Sequence, residues 1–503
     1  MGKKLFSLCM ALALCLSLLP ATALAAEEDT VYVGGEALTS TNGAIVYATT
    51  DTSGNVSTDG ATAANYNIKW DGSTLTLKDA YITNAAHEDN YLHPVEGAAI
   101  GVANSSGAAE LTIELESDNT IGGEDVSTGI YVRAYSDSTG FATLNITGSG
   151  SLTANGSSSA ILVQSNSGDA TLTIRNADVT ATNSSISGDG VTVRAGSSSS
   201  ASLTVDGGSL TATGRSSSGV GIRFSFGGDA VSGTASLSVS NSALVDAREG
   251  GIQAGGGGSA QGVTPTDGNT GIVFNGNQGT VYGSVTLQKN LTVENGQTLT
   301  IPDGASLTID SGATLTVDGG ELTGSVTGTV IYKVTEVKLD KTSLTLDVGK
   351  SETLTATITP SNATNQNVTW ESNAPSVATV NATGEVTAIG AGTATITVTT
   401  ADGDFTDTCT VTVTARTYNI SATPETLDFG SVNVGYTTSP ATQTVTITNT
   451  GNQSVTVDLP TSTNYTITAG AGFTSGTATI TQNGTAQFSV QPKTGLAAGS
   501  YNE

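Results

Sequence analysis

The sequence predicts an all-β protein in which a solenoid of stacked coils precedes two β-sandwich modules. Thr and Val alternate over long stretches bounded by Gly, Asn, Asp and Ser, the pattern of half-buried strands between tight turns. Only 5% of the 503 residues are aromatic, so small β-branched side chains must build the core. A pair of short strands also recurs roughly every 30 residues over the first half of the chain.

Residues 1–25 have the organisation of a secretory signal peptide. Lys3 and Lys4 precede an apolar run from Leu5 to Leu19, and small residues lead to Ala25, where we expect cleavage. The apolar run is too short for a stable membrane span. These features predict an extracellular or cell-surface protein.

The chain is strongly acidic and, after cleavage, keeps one cysteine. It carries 17 Lys and Arg against 44 Asp and Glu, a formal net charge of −27. Nucleic acid is an unsuitable partner because phosphate contacts need a basic surface. Cys9 and Cys15 leave with the signal peptide, so no intramolecular disulfide is expected. Cys409 lies in an alternating strand and is predicted to be a small buried core residue.

Residues 26–332 are predicted to form the solenoid. The first strand of its repeat starts at Leu75, Leu111, Leu144, Leu172, Leu203 and Leu237, and the second at Ile100, Ile130, Ile161, Val191, Val220 and Ile252. Such a unit cannot bury its apolar face alone, so successive units must stack. Asp79, Asn176, Gly207 and Asn241 follow the first strand at one position, which predicts turns with left-handed backbone angles.

A shorter period follows the main repeat. Leucines recur every 8 residues at Leu291, Leu299, Leu307 and Leu315, with tight Asn-Gly, Asp-Gly and Ser-Gly turns between them. We interpret this stretch as a compact end of the same solenoid.

Units such as Trp70-x4-Leu75-Thr-Leu and Leu111-Thr-Ile resemble the pectate-lyase-like β-helix repeats of bacterial surface carbohydrate-binding proteins. The resemblance covers about half of the chain. It implies a parallel β-helix that binds carbohydrate. Because solenoids of this shape include polysaccharide lyases, it also leaves catalysis open.

Residues 333–415 carry a more specific pattern, which includes Val337-x-Leu339-Asp340, Val368-x-Trp370-x-Ser372 and Gly384-x-Val386. It is similar to the bacterial Ig-like domain of group 2. The resemblance implies a β-sandwich with Trp370 as its core anchor.

Residues 416–503 contain Leu427-Asp428-Phe429-Gly430 and Val445-x-Ile447-x-Asn449-x-Gly451. This pattern is similar to the Ig-like modules of bacterial choice-of-anchor and cilium-associated proteins. A complete sandwich of this kind would need a further strand or two, so we expect the module to be truncated. We also expect a missing C-terminal part to anchor the protein to the cell envelope.

The candidate ligand-binding residues are Arg133, Gln164, Arg194 and Arg223. Alignment of the second strand on its leading apolar residue places them at one outward position, one per coil. Such a row could grip the carboxylates of an acidic glycan. The alternative is that each Arg pairs with a neighbouring Asp or Glu on a solvated sheet.

No catalytic, metal or cofactor motif is recognised. His87 and His93 lie in a loop with Glu88 and Asp89, but their spacing is unlike that of a zinc site. Calcium is the one ion left open, since acidic turns could collect it from extracellular fluid.

Three functions follow, in order of preference. The first is non-catalytic binding or adhesion, in which the β-helix presents a face to a polysaccharide or a host ligand and the Ig-like modules act as spacers. The second is a lyase or hydrolase of acidic glycans. The third is a passive structural stalk.

Overall fold

The computed structural model describes residues 28–85, 97–105, 107–123, 125–135, 140–185, 187–214, 219–227, 232–255, 263, 265 and 268–503. The predicted signal peptide and both histidines lie outside the described residues. Among those described, no helix is long and apolar enough to cross a membrane. The chain divides into two compact units, Met1–Tyr332 and Lys333–Glu503.

The first unit is a β-solenoid whose complete coils contain three strands. The strands before the first complete coil are β1 (Glu28–Val33), β2 (Glu36–Thr41), β3 (Val46–Thr50), β4 (Val56–Ser57), β5 (Ile68–Trp70), β6 (Thr74–Leu77) and β7 (Tyr81–Ile82). Five complete coils then follow within the described residues. They are β8 (Ala98–Asn104), β9 (Ala109–Leu115) and β10 (Asp118–Ile121); β11 (Thr128–Ala134), β12 (Ala142–Gly148) and β13 (Ser151–Gly156); β14 (Ser159–Ser165), β15 (Ala170–Arg175) and β16 (Asp178–Asn183); β17 (Asp189–Ala195), β18 (Ser200–Asp206) and β19 (Ser209–Thr213); β20 (Ile222–Phe226), β21 (Thr234–Ser240) and β22 (Ala243–Ala247).

The strands that complete the first unit are β23 (Ile252–Ala254), β24 (Gly271–Asn275), β25 (Gln278–Tyr282), β26 (Ser284–Leu287), β27 (Leu291–Glu294), β28 (Thr298–Thr300), β29 (Ser306–Ile309), β30 (Leu315–Asp318), β31 (Glu321–Thr323), β32 (Val326–Thr327) and β33 (Val330–Tyr332).

Three long sheets run along the solenoid. Sheet 1 has the order β2-β1-β8-β11-β14-β17-β20-β23, and sheet 2 the order β21-β18-β15-β12-β9-β6-β5-β3-β4. Sheet 3 has the order β31-β28-β25-β24-β22-β19-β16-β13-β10-β7. Antiparallel strands cover the first parallel strand of two sheets, because β1 pairs with β8 and β5 pairs with β6. This arrangement blunts the sheet edges to which another chain could add a strand.

The stacking of the two predicted strands is confirmed, with two corrections of register. Leu75 pairs with Ile113 and not with Leu111, and Val191 pairs with Ile222 and not with Val220. In both cases the predicted leading residue is two positions early. Because a shift of two leaves each side chain on the same face of a strand, hydrophobic alternation alone does not detect the error.

Sheet 3 supplies a third strand of each coil that the sequence analysis missed. Its inward residues Leu152, Val179, Leu210 and Val245 lie in register and are buried. The third strand follows the second-sheet strand after a turn of only a few residues, so the two merge into one apparent segment.

The predicted left-handed turn after the sheet 2 strands is confirmed. Asp79, Asn176 and Asn241 have φ values of 49, 55 and 54°, and Gly207 has 71°. Asn and Asp tolerate this region better than other side chains because they bond their own backbone.

The 8-residue period belongs to a second set of smaller coils. β24 and β25 are antiparallel, so the chain reverses direction there while sheet 3 continues through β25, β28 and β31. Leu291 pairs with Leu315, one full coil later, which makes each 8-residue step one side of a three-sided coil. Together with its neighbours this region forms a separate core that includes Phe274 and Leu299.

The first module of the second unit is a β-sandwich. Its strands are β34 (Glu336–Leu339), β35 (Ser343–Asp347), β36 (Ser351–Thr353), β37 (Ala356–Thr359), β38 (Val368–Ser372), β39 (Ala378–Val380), β40 (Glu385–Ala388), β41 (Gly392–Thr400) and β42 (Thr406–Thr414). The sheets are β35-β42-β41-β38, β36-β40-β39 and β34-β37. Trp370 packs against the core but is only partly buried, whereas Cys409 is a free thiol within the core, as predicted.

Residues 416–503 form two further sheets, β43-β44-β48-β46 and β45-β47. Their strands are β43 (Ile420–Thr423), β44 (Gln443–Asn449), β45 (Val455–Asp458), β46 (Tyr465–Ala469), β47 (Thr477–Ile480) and β48 (Thr485–Pro492). The small core between the sheets contains Ile447, Ala478, Ile480 and Ala486.

Asn452 joins the second module to the segment that enters it. Its Nδ2 donates to Ala415 O at 2.7 Å and to Asp347 Oδ1 at 3.2 Å, while its Oδ1 accepts from Thr417 N at 2.8 Å. Arg416 Nη2 donates to Val348 O at 3.1 Å. The connecting segment is therefore hydrogen-bonded to both modules.

Candidate functional site

The outer face of sheet 1 carries two rows of side chains that cross the coils. Inward residues such as Ile130 and Val132 are fully buried in the solenoid core, which directs the alternate residues outward. The tyrosine row contains Tyr131, Leu162, Thr192 and Arg223, and the arginine row contains Arg133, Gln164, Arg194 and Ser225.

Three of the four predicted site residues lie in one row. Arg133 pairs with Gln164, and Gln164 pairs with Arg194. The placement of Arg223 in the same row is wrong, because Arg223 pairs with Thr192 while Arg194 pairs with Ser225. The cause is the register error at Val220, which moves Arg223 into the tyrosine row.

Arg223 is neutralised by a carboxylate of the preceding coil. Its Nε and Nη2 donate to the two carboxylate oxygens of Asp189 at 2.6 and 2.9 Å. Asp189 also accepts from Val220 N at 2.9 Å and from Thr192 Oγ1 at 3.2 Å. The side chains of Asp189 and Arg223 are 13% and 34% exposed, so this pair is a structural clamp, as the ion-pair alternative predicts for this Arg.

Arg133 lies against aromatic rings. Its guanidinium carbon is 3.8 Å from the ring centroid of Tyr135 and 5.9 Å from that of Tyr131. Such contacts stabilise a cation without neutralising it. Within the described part of the chain, Arg133 Nε is buried without a hydrogen-bond partner. A buried donor in this condition is costly unless a ligand or water completes it.

Gln164 is held between its neighbours. The Tyr131 hydroxyl donates to Gln164 Oε1 at 3.3 Å, and Gln164 Nε2 donates to Asn166 Oδ1 at 3.3 Å. Tyr131 packs against Ala98, with Leu162 beside it. Burial raises the pKa of the Tyr131 phenol above its usual range, against the opposing effect of the nearby guanidinium groups.

Arg194 is the third residue of the arginine row. Its side chain is solvent-exposed, and it forms no salt bridge with any described residue. The row therefore presents two cations that are not neutralised by described carboxylates, in a chain where acidic residues outnumber basic ones by 44 to 17.

The sequence analysis did not identify Tyr131 and Tyr135 as part of this site. A signal was present, since the segment Tyr131-Val-Arg-Ala-Tyr135 places two rings around an Arg in a chain that is only 5% aromatic. The cross-coil contact of Tyr131 with Gln164 could not be predicted from the local sequence, because it joins residues 33 positions apart.

The outer face of sheet 2 contains a closed polar network. Asp206 accepts from Arg175 Nε at 3.0 Å, from Ser240 Oγ at 2.7 Å and from Asn241 Nδ2 at 2.6 Å. The hydrogen bonds from Ser240 and Arg175 lower the pKa of Asp206. Among the described residues, no group of three or more His, Cys, Asp or Glu is placed to hold a metal ion.

Residues 333–411 match the family of bacterial Ig-like domains, group 2. The chain is also similar to the "Ig-like virion protein" of Serratia phage KSP90, with 48% identity over 73 residues. That alignment covers 14% of this chain and 27% of the virion protein.

Two solved structures of the S-layer protein SbsC are also similar to parts of the chain. Domains 4 and 5 of SbsC are 24% identical, and the match covers 33% of this chain and 89% of that one at a TM-score of 0.22. The structure rSbsC(31-844) is 23% identical, with 35% and 26% covered at the same TM-score. At this TM-score the likeness does not inform the fold or function of this protein.

Proposed function

We propose that this chain is an exported surface protein that binds an extracellular polysaccharide on the outer face of sheet 1, with the Ig-like modules as spacers. Export is supported by the signal-peptide pattern of residues 1–25, and the spacer role by the Ig-like match at residues 333–411.

The observation that carries the proposal is the arginine row. Arg133 and Arg194 lie on one face, two coils apart, with no salt bridge to a described carboxylate. A guanidinium that no described carboxylate neutralises can hold a carboxylate or sulfate of an acidic glycan. The partly exposed ring of Tyr135 adds apolar surface of the kind on which a sugar ring can pack.

Binding is tested with the mature chain, Ala26–Glu503, on immobilised neutral and uronic-acid polysaccharides, with and without calcium. We expect retention on the acidic polysaccharides and loss of retention in the Arg194→Gln variant. The matched control is Arg175→Gln, which removes an exposed Arg from sheet 2 and should bind as the parent does.

The same samples are monitored for the ultraviolet absorbance of unsaturated uronides. We expect no product, since binding alone is proposed. Release of this product would contradict the proposal and show that the protein is a polysaccharide lyase. Absence of both binding and product would contradict the proposal and favour the third function, a passive structural stalk. Equal loss of binding in both variants would show that the effect is one of total charge and not of the arginine row.

A further inference from the structure

We infer that the arginine row is a bivalent site for an acidic polysaccharide in which a charged sugar alternates with a neutral one. The inference rests on the proposed function and adds the charge pattern of the ligand. The polymer would cross the strands and run along the solenoid axis, with successive sugars over successive coils.

The spacing of the row sets the period. Neighbouring strands of a sheet lie about 4.8 Å apart, so Arg133 and Arg194, two strands apart, are separated by roughly 10 Å along the sheet. Each residue of an extended pyranose polymer advances by a similar length to one strand spacing. Two carboxylates that both meet an Arg are therefore two sugars apart.

The chemistry of the row matches this period. A guanidinium can hold a carboxylate through two parallel hydrogen bonds, whereas the amide of Gln164 has no charge and suits a hydroxyl or acetamido group. On either side of this stretch the row continues as Ala103 and Ser225, which are also uncharged. The row thus presents two cationic positions separated by one neutral position.

Two of the three positions are held in place before a ligand arrives. Arg133 stacks on Tyr135, and Gln164 is bonded to Tyr131 and Asn166. Ordering side chains on binding costs free energy, so prior fixation favours affinity. The Nε of Arg133 is buried, which fixes the side chain further and leaves its terminal nitrogens as the donors for a bound carboxylate.

The charge of the whole chain argues against a ligand with an acid on every sugar. With a formal net charge of −27, the protein repels each carboxylate that does not meet an Arg. A homopolymer of uronic acid brings about twice as many carboxylates as the row can neutralise. An alternating polymer brings one acid for each Arg over the same length.

The test measures the affinity of the mature chain for alternating uronic acid and N-acetylhexosamine oligosaccharides of increasing length. We expect affinity to rise about tenfold when the oligosaccharide first contains two acids, since the second contact becomes intramolecular. Arg133→Gln and Arg194→Gln should each remove this step, and Arg175→Gln should keep it. Unfolding midpoints of all variants separate lost contacts from lost structure.

A homo-oligouronate of equal length is the second arm. It should bind more weakly than the alternating oligosaccharide at low ionic strength, and added salt should narrow the difference because it screens the repulsion. The inference is overturned, and the proposed function is not, if the chain binds acidic oligosaccharides without a rise in affinity at the second acid. The same holds if a homo-oligouronate binds as tightly as the alternating oligosaccharide. Binding to no acidic glycan at all overturns the proposed function itself.

Discussion

The outer faces of sheets 1 and 2 share a backbone architecture and differ in what their side chains do. On sheet 2 the outward positions of successive coils are mostly small and polar, such as Thr171 with Ser202 and Thr173 with Thr204. On sheet 1 they include Tyr131, Leu162 and Arg133, which pack over the sheet. Small hydroxyls are satisfied by each other and by water, as in the bond from Ser236 Oγ to Ser202 Oγ at 3.0 Å.

The difference indicates that the two faces are under different constraints. A solenoid needs only its inward residues to stack, and sheet 2 meets that need with the simplest polar exterior. Large apolar and cationic side chains on sheet 1 are not required by stacking. Sheet 2 also carries an outward Arg175, but Asp206 pairs with it, whereas Arg133 and Arg194 form no salt bridge with a described carboxylate. The proposed function rests on this difference.

The largest expected difference concerns the packed ring of Tyr131. Tyr131→Ala should lower the free energy of unfolding by about 3 kcal/mol, because the ring is 9% exposed and its packing is lost. Thr204→Ala, at an outward position of sheet 2, should cost less than about 0.5 kcal/mol. Chemical denaturation of the two variants measures both values. Equal costs would mean that the two exteriors contribute alike.

Two cross-coil ion pairs, Asp189 with Arg223 and Asp206 with Arg175, provide a matched test of burial. Asp189→Ala removes the carboxylate that accepts hydrogen bonds from Arg223 and from Val220 N, and it should cost roughly 2 kcal/mol. Asp206→Ala frees Arg175, which is 57% exposed, and should cost less than about 1 kcal/mol. The same unfolding measurement applies. A larger cost for Asp206→Ala would reverse our assignment of the structural clamp.

The pH dependence of stability should differ in sign between the faces. Asp206 has a pKa below its usual 3.8, so its contribution is present above that value and is lost as pH falls through the lowered pKa. Tyr131 has a pKa above its usual 10.0, so its contribution is present below that value and is lost as pH rises through the raised pKa.

Unfolding free energies across pH measure both effects. Asp206→Asn should flatten only the acid side of the profile and Tyr131→Phe only the alkaline side. If the free energy of unfolding of Asp206→Asn still falls at acid pH as that of the parent does, Asp206 does not cause the acid-side loss of stability. An unchanged fall at alkaline pH in Tyr131→Phe would exclude Tyr131 in the same way.

The smallest expected effect on stability belongs to Arg194. Because its side chain is exposed and forms no salt bridge with a described residue, Arg194→Gln should change the free energy of unfolding by less than about 0.5 kcal/mol. The same substitution is expected to abolish the length step in glycan affinity. A large loss of stability would place Arg194 among the structural residues, with Arg223.

Much of the architecture could be predicted because it depends on local patterns. Inward alternation identified sheets 1 and 2, and the Asn, Asp and Gly positions identified a turn whose φ values agree. The third sheet was missed because short turns hide the boundary between β12 and β13 and between their equivalents. The 8-residue period was recognised, but the reversal between β24 and β25 was not, since both directions give the same alternation.

The candidate site shows where local reasoning ends. The row of Arg133, Gln164 and Arg194 followed from correct alignment, whereas Arg223 did not, because turns of different length permit a shift of two residues. Asp189 neutralises Arg223, whereas Arg133 lies against tyrosine rings. The alignment of the strands does not identify these neighbours.

The sequence by itself determined the all-β class, the stacking of repeats and the group 2 Ig-like module, since each arises from residue periodicity or a local motif. Only the tertiary structure decided the number of strands per coil, the register of the outward rows and which arginines form a salt bridge with a described carboxylate. Those properties depend on which residues of successive coils, about 30 positions apart, contact one another. Periodicity determines which face of the sheet a side chain occupies, but it does not determine which residue of the next coil lies beside it.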